Sequence, residues 1–85
     1  MTIYVFLMYG KSVRDQLLSL PSLSKFCEDH KFYPVAGDEF NYSELSEEDK
    51  GRIEDLKITK FKSLKVATRK VLLADETLHV FLEVI

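Results

Sequence analysis

From Thr2 to Tyr9 the chain reads TIYVFLMY, apolar at almost every position and rich in β-branched and aromatic residues. A run without polar alternation predicts an interior strand covered on both faces. Gly10 ends it, and two helix-start signals follow. Ser12-Val13-Arg14-Asp15 fits a capping box, and Ser19-Leu20-Pro21 puts proline where a first helical turn tolerates it. Proline inside one continuous helix would cost roughly 3 kcal/mol. The pattern therefore predicts a short turn or helix over residues 12–18, a break, and a helix over about 20–30. Leu20, Leu23 and Cys27 form the buried stripe of that helix, with Phe26 beside it.

Phe32–Ala36 (FYPVA) reads as a short strand, and Pro34, lacking an N–H, assigns it to a sheet edge. Gly37 closes it, and Asp38–Ser43 reads as loop. Ser46-Glu47-Glu48-Asp49 is a second capping signature, with acids in the first turn where the helix dipole favours them. A helix over 46–57 follows, burying Ile53 and Leu56 and weakened by Gly51. The last third supports two readings. Leu78, Val80, Leu82 and Val84 alternate with Thr77, His79, Phe81 and Glu83 as in a strand, while Leu78, Phe81, Leu82 and Ile85 also fit a helical stripe. The β-branched content and the polar Asp75-Glu76 favour a hairpin of 61–73 against 77–85.

These elements define one domain over residues 1–85 of the α/β class in its broad, α+β sense. A mixed β-sheet with Thr2–Tyr9 inside carries two packed helices and ends in a C-terminal β-hairpin; the alternative is a three-stranded parallel βαβαβα sandwich. The 46% hydrophobic content with only three Gly and two Pro excludes a disordered chain. Cys27 is the single cysteine, so no disulfide staples the domain, and a reducing compartment is implied. Ile3–Tyr9 is too short to cross a bilayer and has no basic stretch before it. The expected setting is cytoplasmic, the host cytoplasm if the protein is viral.

The charge changes the picture more than the composition does. The formal net charge is only −2, yet residues 38–56 hold Asp38, Glu39, Glu44, Glu47, Glu48, Asp49, Glu54 and Asp55 against Lys50 and Arg52. Residues 57–73 hold Lys57, Lys60, Lys62, Lys65, Arg69 and Lys70 and no acid. Local fields of this kind steer partners whatever the net charge. On a strand, the basic segment would set Phe61, Ser63 and Lys65 on one face, with Lys57, Lys60, Lys62, Lys65, Arg69 and Lys70 as a ridge for nucleic acid or another anion. Lysines contact phosphate, and an exposed aromatic stacks on an unpaired base. The plainer reading is an edge strand guarded by lysines, or pairing with the acidic helix. In the acidic block, Asp38, Glu39, Glu44, Glu47 and Glu48 form a phosphate-like face for a basic protein groove, or else serve as caps and solvated helix surface.

Catalytic and metal spacings are missing: His30 and His79 are far apart, and no phosphate loop, GxSxG, HExxH or paired CxxC occurs. Ser12, beside Lys11 and Arg14, reads as a helix N-cap before it reads as a nucleophile, and Cys27 as core before reactive thiol. Residues 3–56 resemble in layout the catalytic domain of serine recombinases, the resolvases and invertases. Tyr9, Lys11, Ser12 and Gln16 echo that family's Y-x-R-V-S-T-x-x-Q segment with one residue deleted, Leu23 to Cys27 its helix, and Asp38 with Ser43 or Ser46 its D…S loop. Lys11 stands where the family has arginine, and its D-R-x-x-R motif falls on Thr68, Arg69 and Leu72, leaving one charge of three. The resemblance implies a three-layer α/β fold in a catalytically dead form.

The expected function is therefore that of a small non-enzymatic binding protein without cofactor or metal. A virus- or phage-encoded counter-defence inhibitor suits the size and bipolar charge. It would neutralise a larger host nuclease, toxin or other nucleic-acid-processing factor, with RNA as a possible third component and no membrane involved. A stand-alone module for RNA or single-stranded DNA is the second reading. An enzyme using Lys11, Ser12, Arg14 and Arg69 on a phosphodiester is the third.

Overall fold

The opening apolar run forms β1 (Thr2–Tyr9), which lies inside a five-stranded sheet. The computed structural model describes residues 1–10, 16–58 and 60–85, so the capping box at 12–15, with Lys11, Ser12 and Arg14, lies outside the described residues. After β1 come β2 (Gln16–Ser19), α1 (Pro21–Asp29), β3 (Glu39–Asn41), a 3-10 turn (Tyr42–Glu44), α2 (Glu47–Asp55), β4 (Ser63–Leu72) and β5 (Thr77–Val84). The strand order is β2-β1-β5-β4-β3. β1 and β5 pair in parallel from Thr2 opposite Thr77 to Leu7 opposite Leu82, and every other pairing is antiparallel. This is the mixed sheet with two helices and a closing hairpin, an α+β domain; the all-parallel alternative does not form.

Parity sorts the sheet into two unlike faces. Ile3, Val5 and Leu7 of β1 line up with Leu78, Val80 and Leu82 of β5 and with Leu64 and Val66 of β4, all of them buried. Leu23 and Cys27 of α1, Leu45, and Ile53 of α2 complete that one core, while Leu56 is only half-buried. Both helices thus lie on the same side, and the molecule has two layers rather than the three that the recombinase likeness implies. The expectation that β1 is covered on both faces is corrected by Tyr4, Phe6 and Met8, which point the other way and keep part of their surface accessible.

Helix α1 also closes a sheet edge. β2 reaches only from Phe6 to Tyr9 along β1, so the N–H groups of Ile3 and Val5 have no strand beside them. Glu28 Oε1 accepts from Ile3 N–H at 2.7 Å and Ser24 Oγ from Val5 N–H at 2.8 Å. Two side chains one helical turn apart thereby replace a missing strand.

Three local expectations change. Residues 16–19 are a strand instead of the end of a short helix, because pairing with β1 outweighs a sequence without β-branched residues. Phe32–Ala36 forms no strand: Pro34 is buried, and its carbonyl accepts from Arg69 Nη1 at 3.2 Å. The edge strand is β3, within the segment expected as loop, held to β4 from Glu39 opposite Lys65 to Asn41 opposite Ser63. The register of β4 slips between Val66 and Thr68, where Gly37 N–H and Asp38 C=O bond to Val66 on its other side.

Candidate partner-binding surfaces

The capping signature at Ser46 forms as written, with Ser46 Oγ accepting from Asp49 N–H at 3.1 Å. Asp49 has a second task. Its carboxylate, without accessible surface, accepts from the N–H groups of Leu23 at 2.9 Å and Ser22 at 3.3 Å. These are first-turn donors of α1, whose own N-cap Leu20 offers no side-chain oxygen. Burial pushes the Asp49 carboxyl above the ordinary carboxylate range, against the pull of those two N–H donors and of Arg52. Beside it Ser22 donates to Glu48 at 3.1 Å, and Arg52 Nε donates to Ser19 C=O at 2.9 Å. The acidic helix is thereby locked to α1 and β2.

This lock leaves a cleft of about 320 Å³ between α1, α2 and β3. Leu23, Phe26, Phe40 and Leu45 supply its apolar wall, and Ser22, Asn41, Glu44, Ser46 and Asp49 its polar part. Phe26 is 52% exposed, which is large for an aromatic ring on a helix. Of the acids expected on a partner face, Glu44 lines the cleft and Glu48 holds Ser22 at its lip. Glu47 is exposed and within 3.7 Å of Lys50. Asp38 instead accepts from Val35 N–H at 2.9 Å within its own loop, and Glu39 belongs to the far face of the sheet.

The basic residues do not form one ridge. Lys57, Lys60 and Lys62 are exposed in the connection from α2 to β4, where Lys57 and Lys60 adopt left-handed backbone at φ 58 and 66. Lys57 occupies the position after the helix C-cap that glycine usually takes. Phe61 precedes β4 and is half-buried edge-on against Tyr42, with ring centroids 4.9 Å apart, so it does not share a strand face with Lys65. Arg69 turns toward the helix side and holds Pro34, whereas Lys65 and Lys70 point to the opposite face of the sheet. Among the described residues the one ion pair is Lys50–Glu47, so the acidic helix does not neutralise the basic strand.

The sequence reading missed the far face as a surface. Register places Tyr4 beside His79 and Lys70, then Phe6 beside Ser19, Phe81 and Thr68. Tyr4 and Phe6 stack at 6.4 Å and Phe6 and Phe81 at 5.7 Å, with His79 edge-on to Tyr4 at 5.5 Å. One step further lie Leu17 and Met8, and then Glu83, Lys65 and Glu39 across β5, β4 and β3. The signal was present in β1 as a segregation by parity, aliphatic at Ile3, Val5 and Leu7 and bulky amphipathic at Tyr4, Phe6 and Met8.

His30 caps the C-terminal end of α1 with its ring 4.3 Å from Phe26. Among the described residues no three His, Cys, Asp or Glu side chains converge as metal ligands would, and no described helix is long and apolar enough to cross a membrane. The chain matches no protein-family model, no curated protein and no solved structure.

Proposed function

We propose that this protein is a non-enzymatic binding protein that docks on a larger nucleic-acid-processing partner through the cleft between α1, α2 and β3. One observation carries the reading: a cavity of about 320 Å³ with an apolar wall opens beside the acids of α2, with Phe26 exposed at its wall and Glu44 at its edge. An apolar side chain of the partner enters the cleft while neighbouring lysines or arginines meet Glu44, Glu47 and Glu48. A groove built to hold a phosphate backbone offers that combination, so the acids compete with nucleic acid for it. Inhibition of a nuclease or toxin, as in viral counter-defence within a host cytoplasm, is the role this surface suits. A second reading, direct contact with RNA, draws on the exposed Lys57, Lys60 and Lys62, which lie together in one connection.

Co-purification with and without ribonuclease tests the first reading. The wild type retains a nucleic-acid enzyme after ribonuclease treatment, and the double variant Glu44→Lys/Glu47→Lys loses it. Retention of nothing, or retention indifferent to the double variant, overturns the proposal. Retention abolished by ribonuclease and by the triple variant Lys57→Ala/Lys60→Ala/Lys62→Ala transfers the assignment to RNA.

A further inference from the structure

The two edges of the sheet differ in how their unpaired backbone is covered. At one edge side chains take the groups that no strand pairs: Glu28 and Ser24 accept from Ile3 and Val5 N–H, and Arg52 Nε donates to Ser19 C=O of β2. β3 ends the strand order at the other edge. Tyr42 N–H donates to Lys62 C=O at 3.0 Å and Val66 N–H to Asp38 C=O at 2.8 Å, with Phe40 opposite Leu64 between them. Asp38, Phe40 and Tyr42 therefore turn their backbone groups toward β4, and in an antiparallel ladder the residues between them face away. Glu39 N–H, Glu39 C=O and Asn41 N–H thus point out of the edge. Both residues are exposed, and among the described residues nothing bonds to these three groups.

This open edge borders the cleft. Phe40 and Asn41 belong to both, and Phe40 shares the helix side of the sheet with buried Leu64. A strand laid along β3 sets one residue opposite Phe40 in a non-hydrogen-bonded pair, the closer kind, with its side chain on the face of Phe40. That side chain enters the cleft beside Phe40 and Leu45. Residues two apart share a face, so the one two positions further, past Asn41, reaches Glu44. The cleft lining includes no Lys or Arg, and among the described residues Glu44 forms no ion pair, so that position calls for a base. Glu39 already has Lys65 beside it and makes no such demand. Antiparallel pairing with a second copy about Phe40 would put Asp38 there, an acid toward Glu44. Taking the cleft as the partner site, we infer that the partner is held by β-strand addition. An extended peptide segment lies along Glu39–Asn41 as a sixth strand, with an apolar side chain in the cleft and a lysine or arginine two positions along at Glu44.

Asn41→Pro tests the backbone contact by itself. Asn41 has φ −70 and ψ 129, which proline adopts, and its N–H takes no part in pairing with β4, so the variant loses one outward donor and keeps its circular dichroism. The probe is the acetylated and amidated peptide Thr-Lys-Thr-Leu-Thr-Lys-Thr, whose two lysines suit either strand direction. In an NMR titration of isotope-labelled protein to millimolar peptide, the amide protons of Glu39 and Asn41 move downfield, and that of Phe40, already bonded to β4, stays. Asn41→Pro weakens binding about tenfold, the loss of one hydrogen bond. Asn41→Ala, which keeps the N–H, weakens it less. Absence of binding at millimolar peptide, shifts that spare Glu39 and Asn41, or equal binding by Asn41→Pro and wild type overturns strand addition. The co-purification above separates the two assignments. A partner retained by Asn41→Pro but lost by Glu44→Lys/Glu47→Lys leaves the cleft as its site and removes the added strand. A wild type that dimerises in sedimentation velocity while Asn41→Pro is monomeric gives the edge to a second copy instead.

Discussion

Cys27 is the residue at which burial has its clearest chemical effect. It belongs to the same buried core as Leu20, Leu23 and Ile3 and has no accessible surface. Desolvation first, and then the neighbouring Glu28 carboxylate, push its thiol up to about 11. The thiolate is the nucleophile, so at pH 8 Cys27 should react with a disulfide reagent only at the rate of unfolding. A rapid reaction in native buffer would contradict this placement. The same shift has a consequence for stability. A thiol with a raised folded value contributes stability that is complete below the unfolded value near pH 9 and is lost as pH rises through about 11. Relative to Cys27→Ala, the wild type should therefore lose roughly 2–3 kcal/mol across that window in urea titrations. Ionisation of the tyrosines cancels in the difference.

At the scale of elements, helix ends and strand parity carry most of the information. Asp49 caps α1 from a different helix, so Asp49→Ala should cost about 1–3 kcal/mol at neutral pH. Glu48→Ala, which removes only the exposed bond to Ser22, should cost under about 1 kcal/mol. Equal costs, measured by urea unfolding, would mean that the cross-helix cap contributes little. Asp49 was legible as an acid in the first turn of α2, but its bonds to Ser22 and Leu23 were not, since they join residues distant in sequence. The same division holds elsewhere. α1, α2 and the β4–β5 hairpin were readable because proline at a helix start, a serine cap and period-2 alternation are local signals. β2 and β3 were not, because four and three residues carry too little pattern, and their partners β1 and β4 decide their conformation. The aromatic face escaped for another reason: counting Tyr4, Phe6 and Met8 as apolar concealed that they differ in kind from Ile3, Val5 and Leu7.

Over the whole molecule, each charge block is divided between surfaces, with Glu39 beside Lys65 on the far face of the sheet and Arg69 turned to the helix side. Lys65 and Lys70 project from one face of the sheet, and α2 with its acids packs on the other. The field of the acidic helix is thus free to act on an approaching partner. Association through the cleft should slow as salt rises, by at least severalfold between low and physiological ionic strength. Glu44→Lys should remove much of that dependence, and stopped-flow measurements with the captured partner would reveal it. A salt-independent rate would assign recognition to the apolar wall alone.

The parallel pairing of β1 with β5 bears on how the chain reaches this state. The centre of the sheet joins Thr2 to Thr77 and Leu7 to Leu82, so its most buried ladder closes the longest loop available. Folding should be slow for so small a domain, in the millisecond-to-second range typical of non-local topologies. On the ribosome, β1 emerges early and then waits for residues 77–84 before its inner edge is paired. Throughout that wait an eight-residue apolar strand is open to chaperones and to other nascent copies. Rapid synthesis at low temperature, or in a cell with few free chaperones, would therefore limit the yield of this protein before its thermodynamic stability does.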